Sequence, residues 1–151
     1  MKKRILSLVL LCAILISSTV SVSAAAPSEG ALEPKASFFI TDYLGYVTDQ
    51  GNGVIRIVCD VTAKYSVDTL GVSHIEIQRH DPATNSWIYV GTIYGNSYNN
   101  LLRSNCGSVL QGVNFDDLII GRTYRAVIRF YAKNGSMEEA RVYTTGGVTL
   151  Q

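Results

Sequence analysis

The amino-acid sequence predicts an all-β protein whose body is one antiparallel sandwich of about seven strands. Three observations predict this class. Apolar and polar residues alternate in short runs, most clearly over residues 54–63. Clusters of turn-forming residues separate these runs at about the 8–12-residue spacing typical of a sandwich. No segment sustains the 3.6-residue periodicity of an amphipathic helix.

Residues 1–25 are predicted to be a secretory signal peptide, separate from the folded body. A basic start, MKKR, precedes an apolar run, and VSAAA then supplies small residues at the spacing that a signal peptidase reads. Cleavage is expected after Ala24 or Ala25, because cleavage after Ala26 would leave Pro27 as the first residue. Hydroxyl residues thin the apolar run and no basic stop-transfer cluster follows it, which disfavours a membrane anchor. We therefore expect a secreted, extracellular protein whose mature form has no membrane span.

Residues 26–37 are predicted to be a flexible leader because of their proline, glycine and charge content. Residues 38–151 then form the β-sandwich domain. Removal of the signal peptide leaves 10 basic and 12 acidic residues, a net charge of −2. This charge is small and of the wrong sign for nucleic-acid binding.

About seven segments carry the strand pattern. In chain order they are residues 38–47, 54–63, 74–80, 87–94, 109–115, 124–132 and 140–145. The second segment is the clearest, since Ile55, Ile57, Cys59 and Val61 share one face. A turn with the sequence DPATNS joins the third and fourth segments as a hairpin. Residues 64–73 are predicted to be a linker, and residues 95–108 the least structured interior stretch.

The stretch LIIGRTY carries a leucine, a glycine and a tyrosine at three-residue spacing, at Leu118, Gly121 and Tyr124. This pattern resembles the tyrosine corner of immunoglobulin-like and fibronectin type III domains. In that corner the ring packs into the sixth strand and its hydroxyl bonds to upstream backbone. The resemblance extends over residues 38–150 and implies a sandwich of that type.

Three positions depart from the pattern of those domains. Ile120 stands where fibronectin modules often carry proline. Trp87 lies in the hairpin partner strand instead of the strand before it. Ala126 occupies the place of the second immunoglobulin cysteine, so Cys59 has no standard partner.

The segments TDYLGYV, GVIRIVCDVTA, LGVSHIEIQRH and YRAVIRFYAKNG occur in this order along the chain. The order is similar to that of a family of short exported proteins from Gram-positive gut bacteria, a domain of unknown function. The resemblance implies secretion and a single β domain, and it implies no activity.

Two cysteines, Cys59 and Cys106, remain after signal cleavage. An even number in an exported chain is compatible with a disulfide. Alternation points Cys59 toward the core, whereas Cys106 lies in a polar stretch, RSNCGS, predicted to be a loop. The sequence leaves both the bridge and a pair of free thiols open.

Groups that could carry catalysis or bind a metal are sparse. His74 and His80, six apart on a strand, would lie about 20 Å from each other and could not share a metal. The adjacent carboxylates Asp116–Asp117 and Glu138–Glu139 lie beside predicted turns, where such residues are commonly solvated. No nucleophile, zinc or phosphate-binding motif occurs. The sequence predicts no metal, no cofactor and no enzymatic activity.

One predicted surface stands out. If the third and sixth strands pair, six side chains share an outward face: His74, Glu76, Gln78, Arg125, Arg129 and Tyr131. Arginine and tyrosine are enriched in recognition surfaces, which predicts a binding face for an extracellular protein or glycan. The alternative is that Glu76 pairs with either arginine only to stabilise the sheet. Parity leaves open whether Trp87 and Tyr89 are core or surface.

The sequence therefore favours a secreted, non-catalytic protein of the binding or adhesion type. Neither the ligand nor the oligomeric state follows from it. One alternative is an envelope-associated structural or assembly protein whose edge strands pair with a partner. A second is a small secreted enzyme with a site assembled from distant residues. That site would need a histidine within hydrogen-bond reach of Cys106 or a serine.

Overall fold

The computed structural model describes residues 37–96 and 100–151. The predicted signal peptide and all of the predicted leader except Ser37 lie outside these residues. The described chain is all-β and antiparallel, which confirms the predicted class, and none of it is helical. Its strands form one sheet that curls into a half-barrel. Among the described residues there is thus no helix with the length and apolar character needed to cross a bilayer.

The described residues form seven strands. They are β1 (Ile40–Gly51), β2 (Val54–Asp81), β3 (Ser86–Tyr94), β4 (Leu102–Phe115), β5 (Thr123–Asn134), β6 (Met137–Thr144) and β7 (Val148–Thr149). The predicted second and third strands and the linker between them are one continuous strand, β2. The second half of the stretch 95–108, predicted to be the least structured part of the interior, is also strand, because β4 begins at Leu102.

Strand β2 is the central strand of the sheet, and two other strands pair with it one after the other along each of its edges. Its first arm, residues 54–63, lies between β1 and β4. Its second arm, residues 69–81, lies between β5 and β3, and the start of β4 reaches its first residues. Strand β6 extends the sheet beyond β5, and β7 pairs with the start of β5. The sheet thus has two halves that share one strand.

The prediction of a linker at residues 64–73 is wrong because β2 runs through it unbroken. Thr69, Leu70 and Gly71 pair with β4 on one side and with β5 on the other. At these three residues the ladders satisfy the backbone groups. Gly71 has a φ of 145°, and an added Cβ would collide with the carbonyl oxygen of Leu101. Gly71, which lies in the predicted linker, is thus a site of close backbone approach inside a strand.

The inner faces of the two halves pack against each other. The ring of Tyr43 on β1 lies 5.5 Å from that of Phe130 on β5 and 6.3 Å from that of Tyr143 on β6. Gly45 is buried, and the side chain of Ile128 fills the space where a Cβ would stand. The largest fully buried side chains include Phe39, Ile55, Ile57, Leu70, Ile75, Ile77, Tyr124 and Leu150. Burial of these apolar faces is the main source of stability.

Tyr124 lies inside the bend that precedes β5 and is 1% exposed. The backbone N–H of Ile119 donates to its hydroxyl at 3.0 Å, and the hydroxyl lies 3.4 Å from the carbonyl oxygen of the same residue. Leu118 is buried beside it, and Gly121 turns the chain with a φ of 81°. This geometry is consistent with the structural role that the sequence predicts for the three residues.

Glu139 is buried, contrary to the expectation that Glu138–Glu139 is a solvated pair. One carboxylate oxygen accepts hydrogen bonds from the backbone N–H groups of Phe39 (2.7 Å) and Ile40 (3.1 Å). The other accepts from the Ser37 hydroxyl at 2.9 Å and pairs with Arg141 at 2.7 Å. Burial alone would raise the pKa of Glu139, but these hydrogen bonds and the Arg141 charge together lower it. Glu139 thereby fixes the start of β1 to β6.

The thiols of Cys59 and Cys106 are free, so the predicted possible disulfide is not formed. Cys59 lies opposite Gln111, and Cys106 lies opposite Val67, which is eight residues farther along β2. A disulfide requires Cα atoms within about 7 Å, which this register does not provide. Cys106 also belongs to β4 and not to a loop. Burial raises the pKa of Cys59 to about 12.

Candidate binding surface

The second half of the sheet presents one face to solvent, which we call the outer face. It is defined by alternate residues of three strands. These are His74, Glu76, Gln78 and His80 on β2, Trp87, Tyr89, Thr92 and Tyr94 on β3, and Arg125, Val127 and Arg129 on β5. The residues between them on β2 and β5, such as Ile75, Ile77, Ala126 and Ile128, are fully buried. Period-2 alternation therefore positions the outer face.

The pairing of β2 with β5 brings most of the predicted site residues together. His74 lies directly opposite Arg129, and Gln78 directly opposite Arg125. Glu76 lies opposite Val127 and so sits between the two arginines. Five of the six predicted residues thus share one patch.

Tyr131, the sixth predicted residue, lies at the far end of β5, opposite Gly71 and Ala140. Partial burial, together with a hydrogen bond and the negative charge from Glu138, raises the pKa of its hydroxyl. Glu138 also pairs with Lys133 at 3.5 Å. Tyr131 therefore belongs to a separate polar cluster.

Strand β3 adds aromatic residues to the outer face. Tyr89 and Tyr94 are 60% and 58% exposed, and Trp87 is half-buried. Trp87 and Tyr89, which parity left open, therefore belong to the surface. The sequence reasoning missed Tyr94, because strict alternation from Tyr89 would turn it to the inner face. A bulge opposite Ile77 and Gln78 shifts the register by one residue and returns Tyr94 to the same face as Tyr89.

Arg125 is held in place by two side chains, Trp87 and Gln78. Its guanidinium carbon lies 4.1 Å from the centroid of the Trp87 ring, a cation–π contact. Its Nε donates to the Gln78 side-chain oxygen at 2.8 Å, and the Gln78 amide donates to Glu76 at 2.6 Å. Burial lowers the pKa of Arg125, whereas the negative charge of Glu76 acts in the opposite direction. The guanidinium remains charged, as arginine does in proteins.

The contacts of Trp87 make it part of the surface framework. The centroid of the His80 ring lies 5.1 Å from that of Trp87, with 57° between the two ring planes. A Cβ added at Gly147 would lie 3.3 Å from the indole. The indole therefore reaches across β2 toward the segment before β7. The tyrosines are less covered. The ring of Tyr94 is tilted against that of His74, with the two ring centroids 6.4 Å apart. The Tyr89 hydroxyl lies 3.1 Å from the Thr92 hydroxyl.

One serine–histidine contact lies at the edge of this surface. The Ser73 hydroxyl is 3.4 Å from Nδ1 of His74 and donates to the Arg129 carbonyl at 3.1 Å. Because the hydroxyl proton is directed to a backbone carbonyl, this geometry does not activate a nucleophile. Within the described ranges, no three histidine, cysteine or carboxylate side chains converge as metal ligands would.

The outer face thus combines exposed aromatic rings with two guanidinium groups on a rigid sheet. Such a surface can stack on apolar faces of a ligand and donate forked hydrogen bonds to its oxyanions. A comparison of the chain with protein-family models and with curated proteins found no match.

Proposed function

We propose that this protein is a secreted, non-catalytic binding protein that recognises an extracellular polymer, a glycan or a protein, through its outer face. The observation that carries the proposal is the arrangement on that face. Two exposed tyrosines and a half-buried tryptophan on β3 share it with Arg125 and Arg129 on β5. Aromatic residues and arginine are the side chains most enriched at binding hot spots.

The alternative, that these charges serve only to stabilise the sheet, is less well supported. Among the described residues neither Arg125 nor Arg129 forms an ion pair with a carboxylate, although Glu76 lies between them. Glu76 instead orients Gln78, which in turn orients Arg125. An arginine held in this way retains two terminal nitrogens as donors for a ligand.

The immunoglobulin-like or fibronectin type III-like sandwich is part of the same proposal. The buried ring and bonded hydroxyl of Tyr124 support it, as does the face-to-face packing of β1 against β5 and β6. The unbroken strand β2 departs from those domains, in which two strands and a connection would occupy residues 54–81.

Secretion is supported by the sequence of residues 1–25 and by the resemblance to exported proteins of Gram-positive bacteria. The test is N-terminal sequencing of the protein collected from the medium of its producing cells. We expect a first residue of Ala25 or Ala26. A chain retained in the cells with Met1 intact would overturn this part of the proposal.

A second candidate function is assembly through an edge strand. Among the described strands β4 pairs with β2 alone, it carries one charged side chain, Arg103, and its Leu110 is 70% exposed. Uncharged edge strands are templates for pairing with another chain. Analytical ultracentrifugation of Leu110→Lys separates this function from the first. Dissociation of an assembly by this substitution would favour it.

The binding function is tested by capture of ligands with the purified protein. Cell-surface extracts and an immobilised glycan panel are compared for wild type, Arg125→Ala/Arg129→Ala and a control, Arg56→Ala/Arg103→Ala. The control arginines lie on β2 and β4, away from the outer face. We expect the first double variant to lose its ligand and the control to retain it. Retention of every ligand by the first variant would show that the outer face is not the binding surface.

A further inference from the structure

The outer face contains two rows in which a tyrosine, a polar side chain and an arginine follow each other in the same order. In the first row, Tyr89 on β3, Gln78 on β2 and Arg125 on β5 lie side by side across three neighbouring strands. Their order is an aromatic ring, a polar side chain and a guanidinium group. Gln78 accepts a hydrogen bond from Arg125, so this row is held together by its own contacts.

The second row repeats this order at the other end of the face. Tyr94, His74 and Arg129 lie side by side on the same three strands. The ring of His74 contacts that of Tyr94, and the Arg129 side chain is exposed. The rows differ in support, because Arg125 lies against Trp87 whereas Arg129 contacts no aromatic ring among the described residues.

The register bulge in β3 is what creates the repeat. The rows are four residues apart on β2 and on β5, which keeps both on one face of the sheet. On β3 the tyrosines are five residues apart, a spacing that would normally place them on opposite faces. The extra residue at the bulge opposite Ile77 and Gln78 restores the match. The rows lie about 13 Å apart along the strands, at about 3.3 Å per residue.

We propose that the two rows are successive subsites for a polysaccharide that carries carboxylate groups at regular intervals. This inference rests on the proposed binding function and assigns its ligand class. In each row the guanidinium donates to a carboxylate, and the tyrosine stacks on the C–H face of a sugar ring, whose polarised hydrogens meet the negative face of the phenol. A ligand with carboxylate groups at regular intervals fits a surface with a repeated cationic hydrogen-bond donor.

An acidic peptide fits this surface less well. A peptide that binds as an added strand forms backbone hydrogen bonds to a free sheet edge. The two rows lie on a sheet face, where β2 and β5 already use their backbone groups in the ladders that join them. The face offers side chains instead, chiefly rings, an amide and guanidinium groups, and these can contact sugars and their carboxylates.

Glu76 lies between the rows, and its substitution tests whether the ligand is negatively charged. Its carboxylate is partly exposed and would repel an acidic ligand. Glu76→Gln keeps an oxygen that can accept the hydrogen bond from Gln78 and removes the charge. For an acidic polysaccharide this substitution strengthens binding several-fold, and an affinity that it does not raise would count against an acidic ligand.

The test is calorimetric titration of the purified protein with polygalacturonate, with alginate, and with fully methyl-esterified polygalacturonate, at low and at high salt. We expect the acidic polymers to bind at least tenfold more tightly than the ester, with a preference that falls as salt screens the charges. Arg125→Ala and Arg129→Ala each reduce the preference, the clamped Arg125 by more. Arg125→Lys reduces it as well, because an ammonium group lacks the fork. Arg103→Ala, the matched control, leaves it unchanged.

The results distinguish a wrong ligand class from a wrong binding function. Equal binding of the acid and ester forms, lost in Tyr89→Ala/Tyr94→Ala, would overturn the carboxylate assignment and leave the outer face as a binding surface. If the protein binds another protein and no acidic polymer, the carboxylate assignment is likewise overturned and the outer face remains a binding surface. Binding that no outer-face variant alters would overturn both. Circular dichroism of each variant confirms that the sheet is intact.

Discussion

The carboxylate of Glu139 on β6 accepts a hydrogen bond of 2.7 Å from the backbone N–H of Phe39, just before β1, and so joins residues 100 positions apart. The same side chain also holds Ile40, Ser37 and Arg141. A buried carboxylate is stable only where hydrogen bonds and opposite charge offset its desolvation. The attachment of the start of β1 to β6 therefore depends on one ionised group.

Glu139→Gln should weaken this attachment. The substitution keeps the size of the side chain but removes its charge, and hydrogen bonds to charged groups contribute about 1.5–3 kcal/mol each. We expect the free energy of unfolding, from urea denaturation at pH 7, to fall by about 2–3 kcal/mol. Glu138→Gln is the control, since Glu138 is exposed and its pair with Lys133 is worth about 0–1 kcal/mol. Equal effects of the two substitutions would contradict the role assigned to Glu139.

The same carboxylate should make stability depend on pH. Because the folded-state pKa of Glu139 is lowered, its contribution is present above the unfolded pKa of about 4.3 and is lost as pH falls through the folded value. We expect the unfolding midpoint in urea to fall with pH below about 4.5. In Glu139→Gln this fall should be shallower. Part of it should remain, because backbone N–H groups also lower the pKa of Asp49 and Asp81.

Tyr124→Phe tests the bracing of the bend before β5. The phenylalanine ring fills the same volume but leaves the N–H of Ile119 without its partner. We expect a loss of about 1–3 kcal/mol in the free energy of unfolding. Tyr46→Phe, at a tyrosine that is 50% exposed on β1, should change it little. A Tyr124→Phe variant as stable as wild type would show that the hydroxyl does not brace the bend.

The two thiols should react at very different rates. Cys106 is partly exposed, whereas Cys59 is buried with its pKa raised to about 12, so it forms almost no thiolate at pH 8. We expect iodoacetamide to modify Cys106 in the native protein and Cys59 only after denaturation, as read by peptide mass spectrometry. An intact mass that rises by two hydrogens on reduction would instead indicate a disulfide.

The alternation of residues 54–63 and 124–132 was enough to predict two central strands and the inward direction of Cys59. It was also enough to place His74, Glu76 and Gln78 on one face with Arg125 and Arg129, because period 2 fixes the facing of each side chain once the strands pair. The all-β class followed from the same pattern.

What the sequence did not reveal depends on contacts between distant segments. Residues 64–73 are polar and contain Gly71, so they predict a linker, and only the neighbours on both edges make them a strand. Glu139 has an unremarkable local context, and the groups that donate hydrogen bonds to it from the start of β1 are 99–102 residues away. Tyr94 joins the outer face only through a bulge, which alternation cannot anticipate.

The continuity of β2 has a consequence for how the chain acquires its structure. Since one strand is shared by both halves of the sheet, neither half can open without breaking a ladder of that strand, and the described body should unfold in a single cooperative transition. During synthesis the second arm of β2 has no partner on one edge until residues 123–134 have emerged. A nascent chain shorter than this exposes a long unpaired edge, which makes it the most aggregation-prone species that this sequence passes through.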